Sequence, residues 1–491
     1  MEKKVQIAVS APSSNCGKTL AACGLLEVMK RRGLCPCAFK TGPDYIDPMF
    51  HRSVLNVSSH NLDLVMADEA YVRDCYRREL SEHGAAVIEG VMGLYDGLSG
   101  KTDCGSCWHL ADTLDIPVLL VLSPQGSSLT TAAEVKGLLQ FRADSRIAGI
   151  VLNQCRKSYA SLMKEILEKE TGIPVIGYLP ELPDVRIKSR HLGLYQADEI
   201  EDLQQNIGKI ADAMEETFNW KLLEERFSVP QPQTEDHAEP LSADTGREMQ
   251  GSAADRVHGG RQDAEGSAAG LPHRERPVIA LARDEAFSFC YQETQEVLDS
   301  LGAEIVYFSP VHEPCVPENA DALLLPGGYP ELYAEELSEN REMRDSIRSA
   351  AESGMPFIAE CGGFLYLLES LQDGEGQAWP MAGVFPGRSR NAGKLVRFGY
   401  AEMRAETDGL LLRAGESMRV HEFHYWEADY SGSDFSLHKP LSERQWTEGY
   451  SGDTFYAGFP HLYLAAHPEA AERFVRAAGR YRSLRTNRKN K

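Results

Sequence analysis

The sequence predicts an α/β protein built from two halves, and three observations carry that prediction. Short apolar, β-branched runs alternate with helical patterns early in the chain, and a second such series begins near residue 277. Between the two series lies a segment without an aromatic residue, 228–276, rich in Gly, Pro, Ser, Ala and charge. The first run also leads into a Gly-Lys-Thr loop of phosphate-binding form.

In the first half the runs are "VQIAVSA", "PCAFKTG", "AAVIEGV", "IPVLLVLS", "IAGIVLN" and "IPVIGYLP". Strands that are apolar throughout and spaced by helices belong to a mostly parallel sheet covered on both faces. The second half repeats the pattern with "PVIALARD", "EIVYFSP", "ALLLPGG" and "PFIAEC". The intervening segment has too little apolar surface to offset its ordering entropy, so a flexible linker is expected at 228–276. The domains are therefore 1–227 and 277–482, with a basic tail at 483–491.

A chain of 491 residues is too long for one ordinary core. Its 51 Lys+Arg against 73 Asp+Glu give a net charge of −22, which disfavours nucleic-acid or anionic-membrane partners. An anionic substrate must then be held by a local concentration of donors. The run "IPVLLVL" is shorter than the ~20 residues a bilayer requires, and "MEKKVQIAVSAPSS" lacks the apolar core of a secretion signal. Eleven scattered cysteines fit a reducing compartment, so a cytoplasmic protein is expected. The close pairs Cys35/Cys37 and Cys104/Cys107 lack the spacing and histidines of a zinc site.

The first strand runs into "APSSNCGKT", Ala11 to Thr19, and then a helical pattern. Gly17, Lys18 and Thr19 match the end of a phosphate loop, although Pro12 stands where its first glycine is expected. Such a loop curls backbone N–H groups, here including those of Ser14 and Asn15, around a phosphate, sends lysine to its oxygens and offers a hydroxyl to Mg²⁺. Two acidic segments follow at later strand ends: "FKTGPDYIDPMFH" with Asp44, Tyr45 and Asp47, and "AAVIEGVMGLYDG" with Glu89. Taken with the loop, Asp44 and Glu89 are expected to serve Mg²⁺–ATP. Asn153, at the end of "GIVLN", is an amide candidate for reading adenine.

In the second half, "PFIAECGGFLYLL" carries a strand straight into Cys361, Gly362 and Gly363. A thiol at a strand-to-helix turn is presented to substrate; the alternative is an inert core cysteine. Glycine turns at Gly327-Gly328 and at Gly362 offer N–H donors for an oxyanion. A thiol needs a base to attack well, and His421, His424, His461 and His467 all lie downstream. Spacing does not choose among them, because the pair meets in the fold.

The stretches "APSSNCGKT", "FKTGPDYIDPMFH", "VIEGVMGLYDG", "ARDEAFSFCY", "PGGYPELYAEEL", "AECGGFLYL" and "HEFHY" together resemble cobyrinate a,c-diamide synthases. The resemblance covers both halves. It implies a dethiobiotin-synthetase-like ATP domain followed by a class I glutamine amidotransferase domain. It further implies Cys361 as nucleophile and His461 as its base, Gly328 and Gly362 as oxyanion donors, and ATP contacts from Ser14, Asn15, Gly17, Lys18, Thr19 and Asn153. Thr19, Asp44 and Glu89 would hold Mg²⁺, and Tyr45 and Asp47 would position the corrinoid substrate. ATP and L-glutamine would be co-substrates, with amidation of the a- and c-acetates of cobyrinate as the reaction and a homodimer as the assembly considered.

Some residues depart from the family pattern. "GFPHLYL" puts Tyr463 where a second histidine is usual, and no glutamate stands two residues after His461, so a third member of the Cys-His arrangement is unassigned. "PGRSRNAGKLVRFGYAE" is also unusual in wording. The close alternatives are hydrogenobyrinate and nickel-sirohydrochlorin a,c-diamide synthases. A MinD/ParA-type ATPase switch is the alternative of another class, but its loop carries a lysine where this chain has Ser13. A cysteine hydrolase with an unrelated ATPase domain is the third.

Overall fold

The computed structural model describes residues 3–183, 185, 197–230 and 276–489. Most of the expected linker, 231–275, lies outside them. Within them the first half is an eight-stranded sheet. Its strands are β1 (Lys3–Ser10), β2 (Pro36–Thr41), β3 (Ser59–Leu62), β4 (Ala85–Glu89), β5 (Val118–Leu122), β6 (Ile147–Leu152), β7 (Val175–Tyr178) and β8 (Ser228–Pro230). The first seven are parallel in the order β3-β2-β4-β1-β5-β6-β7, and β8 runs antiparallel beside β1. Residues 228–230, read from sequence as the start of the linker, thus close the first sheet.

The strands are apolar on both sides because helices cover both faces. In β5, Val118, Leu120 and Leu122 enter one core cluster and Leu119 and Val121 the other. Placing each of these side chains in water instead would cost roughly 1.5–3 kcal/mol. Helix α1 (Lys18–Arg31) packs Ala21, Ala22, Leu25 and Leu26 on the second face, immediately after the phosphate loop. Helix α2 (Ile46–Ser53) follows β2 and buries Phe50 in the same cluster.

The second half has a central sheet of β9 (Val278–Ala282), β10 (Glu304–Phe308), β11 (Ala322–Leu325), β12 (Phe357–Glu360), β17 (Tyr450–Gly452) and β18 (Phe455–Gly458). Their order is β10-β9-β11-β12-β18-β17, parallel except at β17. Helix α3 (Gly362–Leu367) starts immediately after Cys361. A second, antiparallel sheet comprises β13 (Arg397–Ala405), β14 (Ser417–His424), β15 (Phe435–His438), β16 (Gln445–Glu448) and β19 (His461–Leu462), in the order β16-β15-β13-β14-β19. Sequence reading finds no strands there. The reason is the alternation itself: Ala401, Met403 and Ala405 are buried, while Glu402 and Arg404 face outward. One-sided strands of this kind show no continuous apolar run. Residues 483–489, set apart from sequence as a tail, continue the helix Pro468–Lys489, where Arg485 Nη2 meets the buried Asp321 carboxylate at 2.8 Å.

The two halves meet along a polar and aromatic seam. Glu293 accepts the Asn61 N–H, and Glu296 Oε1 lies 2.7 Å from His60 Nε2. Tyr400 Oη donates to Asp63 Oδ2 at 3.0 Å, and Arg419 Nη1 donates to the Val65 carbonyl at 2.8 Å. Tyr463 Oη donates to the Asn61 carbonyl at 3.3 Å from a fully buried ring that also meets Tyr71 and Tyr291 edge-on. The residue that departs from the family pattern therefore works as a strut between the halves. A Tyr463→Phe substitution keeps the ring and removes that hydrogen bond. It is expected to lower stability by about 1 kcal/mol, read as an earlier midpoint of chemical denaturation.

Candidate active site

The phosphate loop is shaped by close contacts. Gly17 has φ of 99°, in the left-handed region, and a Cβ there would collide with the Asn153 side-chain amide. Glycine alone meets both demands without strain. Asn153 Nδ2 donates to the Cys16 carbonyl at 2.9 Å, so the residue expected to read adenine holds the loop from behind. Ser14 and Asn15 stand exposed on the loop, Asn15 with φ of 64°. Lys18 Nζ donates to the carbonyls of Ser13, at 2.9 Å, and Met92, at 2.5 Å. Burial draws its pKa down. The first turn of α1 has no side-chain cap, which leaves its N–H groups pointing into the loop as anion donors.

Beside the loop, β2 and β4 end together and build an acidic cluster around one lysine. Lys40 Nζ lies 2.5 Å from Asp47 Oδ2, 3.1 Å from Glu89 Oε1 and 3.9 Å from Asp44 Oδ2. Thr19 Oγ1 donates to Glu89 Oε1 at 2.6 Å, tying the loop to the same carboxylate. Burial opposes the charge on Lys40, but Asp47, Glu89 and Asp44 outweigh it and hold its pKa up. Burial likewise works against Glu89, yet Lys40, His51 and Thr19 keep it ionised, well below the usual range. Asp47 takes the opposite course: burial, with Glu89 adding repulsion, pushes it up to about 8.

The donor set suits a hard divalent cation. Thr19, Asp44 and Glu89 present only oxygen, and Glu89 Oε2 is buried without a hydrogen-bond partner, 3.5 Å from His51 Nε2. Among the described residues no group of three or more His, Cys, Asp or Glu side chains forms a metal cage. Mg²⁺ needs none, since it commonly takes one or two carboxylates and completes its shell with phosphate and water.

At the other site, β12 delivers Cys361 into a strained turn. Its φ is 45°, in the left-handed region, and its N–H donates to the Gly458 carbonyl at 2.8 Å. A Cβ on Gly362 would lie 3.0 Å from the Gly328 amide nitrogen, and one on Gly363 would overlap the Leu325 carbonyl. The backbones of Gly328 and Gly362 therefore approach each other beside the thiol, as a pair of oxyanion donors requires. Burial, then Glu331 and Glu360, push the Cys361 thiol up, so it rests protonated.

Of the four candidate histidines, the fold brings His461 to this strand end. Its ring lies over Gly327, and its Nδ1 stands 3.6 Å from Glu360 Oε2. Glu360 Oε1 also accepts the Leu462 N–H at 3.3 Å. A carboxylate thus stands beside His461 from the residue preceding Cys361, where none follows the histidine in sequence. Burial raises the Glu360 pKa, and His461 partly offsets this. His424 stacks on Phe459 at 4.0 Å and its Nδ1 lies 2.7 Å from the Trp426 carbonyl, while burial lowers its pKa to about 4. Burial also lowers His421, to about 3, and His467, to about 4.

Tyr45 joins the two sites. It lies between Asp44 and Asp47 in sequence, but its buried ring points away from them, 5.3 Å from His461, 5.2 Å from Phe289 and 4.2 Å from Tyr291. Asn61 Nδ2 fixes the loop beneath it by donating to the carbonyls of Gly42 and Asp44, at 2.9 and 2.7 Å. Lys40, His51, Asn61 and Glu360 escaped the sequence reading. Two carried a signal: Lys40, one residue before the end of β2, and Glu360, at the end of β12, each follow an apolar run in a buried strand, where burial requires a partner.

Residues 7–194 match the CobQ/CobB/MinD/ParA nucleotide binding domain, and residues 278–467 match the CobB/CobQ-like glutamine amidotransferase domain. Curated relatives align along nearly the whole chain. A cobyrinate a,c-diamide synthase of Caldanaerobacter subterraneus subsp. tengcongensis is 34% identical over 472 residues, covering 95% of this chain and 97% of that protein. Proteins of the same name from Clostridium acetobutylicum and Picrophilus torridus are each 35% identical, covering 96% of this chain and 99% and 98% of theirs.

The Glu360 geometry makes a specific demand. A Glu360→Gln variant is expected to lose at least about tenfold in glutamine hydrolysis. The wild type should also lose rate as pH falls through the raised Glu360 pKa, where the carboxylate becomes neutral and releases its hold on His461. That acid limb should be absent from the variant, as measured by glutamate release against pH.

Proposed function

The chain belongs to the cobyrinate a,c-diamide synthase family, and we propose that its two sites divide glutamine-dependent amidation between them. Ammonia is freed at Cys361 and captured at a corrinoid acetate that the phosphate-loop half has activated with ATP. The observation that carries this reading is the Tyr45 ring, which reaches the His461 base from the loop that bears Asp44 and Asp47.

At the second-half site, Cys361 Sγ attacks the side-chain carbonyl carbon of glutamine. His461 takes the thiol proton and passes it to the departing nitrogen, so ammonia leaves and a glutamyl thioester remains. The amides of Gly328 and Gly362 hold the oxyanion, and Glu360 orients the imidazole. Water then hydrolyses the thioester to glutamate and restores the thiol. Because the resting thiol is neutral, attack awaits a substrate that brings thiol and base together.

At the first-half site, a carboxylate is a poor acyl donor until its oxygen becomes a good leaving group. An acetate oxygen of cobyrinate attacks the γ-phosphorus of ATP, ADP leaves, and an acyl phosphate results. Ammonia adds to the acyl carbon and phosphate departs, leaving the amide. Gly17, Lys18 and the loop amides of Ser14 and Asn15 bind the triphosphate, and Asn153 braces the loop. Thr19, Asp44 and Glu89 would hold Mg²⁺, which when bound spreads the charge of the transferred phosphoryl group. Asp47, neutral more readily than an ordinary carboxyl, lies beside Lys40 where an acetate arm can approach without full repulsion. Tyr45 stands between nitrogen source and acceptor.

Three variants separate the sites. Cys361→Ala should abolish product formation from glutamine while ammonium salts still support it with cobyrinate, ATP and Mg²⁺. Asp44→Asn or Glu89→Gln should remove activity with either nitrogen source, by roughly a hundredfold or more. Mass spectrometry of the corrinoid reads both results. Normal glutamine use by the alanine variant would refute the nucleophile, and unchanged turnover by the carboxylate variants would exclude them as ligands.

A further inference from the structure

The outer face of the β13–β14 hairpin is covered at one end and bare at the other. Near the seam, Tyr400 bonds Asp63, and its ring meets His421 at 5.5 Å. A Cβ on Gly42, in the loop leading to Asp44, would lie 3.6 Å from the Tyr400 hydroxyl. The next aromatic pair outward is Phe398 and Phe423, directly opposite each other, 5.5 Å apart and 57% and 46% exposed. Phe398 also meets His421 at 6.0 Å, and Phe423 meets Tyr425, 45% exposed, at 5.9 Å. An unbroken run of rings therefore leads from the acidic loop and the His461 neighbourhood to open surface.

Charge frames this run on one side. The chain carries a net charge of −22, yet Lys394 stands exposed beside it. Its side chain makes no hydrogen bond or ion pair among the described residues. Lys394 follows Gly393 in a turn hung on the hairpin by Ala392 N–H to the Tyr425 carbonyl and Val396 N–H to the His424 carbonyl, both 3.0 Å. The segment is the one whose wording departs from the family. Exposed aromatic rings in one patch mark a binding face, and an unpaired cation beside them favours an anionic partner.

We infer that this aromatic hairpin face, with Lys394 at its rim, is the platform on which the flat polycarboxylate macrocycle docks. The inference rests on the proposed function and adds to it where the ring system lies. Phe398 and Phe423 take the apolar macrocycle edge, Lys394 takes a carboxylate arm not being amidated, and the inner end at Tyr400 aims a reacting acetate at Asp44 and Asp47. A second copy of the chain is the competing occupant, and it has no need of the carboxylate-seeking rim.

The test uses the full chain, a Phe398→Ala/Phe423→Ser double variant and, separately, Lys394→Glu, an exposed turn substitution that leaves the hairpin packing alone. Cobyrinate binding is read by equilibrium dialysis with its visible absorbance, and KM is measured for cobyrinate, ATP and glutamine in turn. Each variant should raise the dissociation constant and KM for cobyrinate roughly tenfold, with KM for ATP unmoved. The Lys394→Glu penalty should shrink as salt screens the charge. An active wild type whose variants retain their cobyrinate constants would overturn the platform alone. A change in sedimentation without a change in those constants would assign the face to self-association, also against the proposal. A wild type that binds no cobyrinate would remove the functional reading and the platform with it.

Discussion

One buried cation organises the active half. Lys40 lies inside the ends of two parallel strands with its ammonium enclosed by Asp47, Glu89 and Asp44. A charge so placed is tolerated only because its partners are near, and removing one partner of such a set typically costs about 3–5 kcal/mol. The same contact fixes geometry. Asp47 is in the first turn of α2 and Glu89 ends β4, so Lys40 pins the start of a helix to the end of a strand. The loop between, residues 42–45, is then bound from below by Asn61 and from above by Tyr291, whose hydroxyl donates to the Pro43 carbonyl at 3.2 Å.

From that loop the constraint passes to the second half. With Asp44 and Asp47 committed to the lysine side, Tyr45 is forced to the opposite side, into the aromatic group formed by Phe289, Tyr291 and His461. The two chemistries are therefore not tethered loosely by a linker but share a packed boundary. The loop that carries Asp44 therefore also supplies a ring packed beside the imidazole.

What the sequence made legible follows from how completely each residue's role is local. The parallel sheets were readable because strands such as β5 are apolar on both faces, and the phosphate loop because Gly17, Lys18 and Thr19 act within one turn. Asp44, Tyr45, Asp47 and Glu89 were marked by their positions at strand ends, although the direction of the Tyr45 ring was not. The antiparallel sheet was hidden by its one-sided burial. Glu360 was hidden for a different reason: the expected carboxylate was sought after the histidine in sequence, whereas the fold brings one alongside from the end of β12. Lys40 sits within the same segment as Asp44 and Asp47, but Glu89, which it shares with His51, lies in another, and only pairing across β2 and β4 reveals the connection.

The protonated state of the Cys361 thiol has a consequence beyond turnover. Alkylating and oxidising agents react with thiolates far faster than with thiols. A sulfur that burial and neighbouring carboxylates keep neutral is a poor target for them. It should therefore outlast exposed cysteines such as Cys35 and Cys315 under oxidative stress.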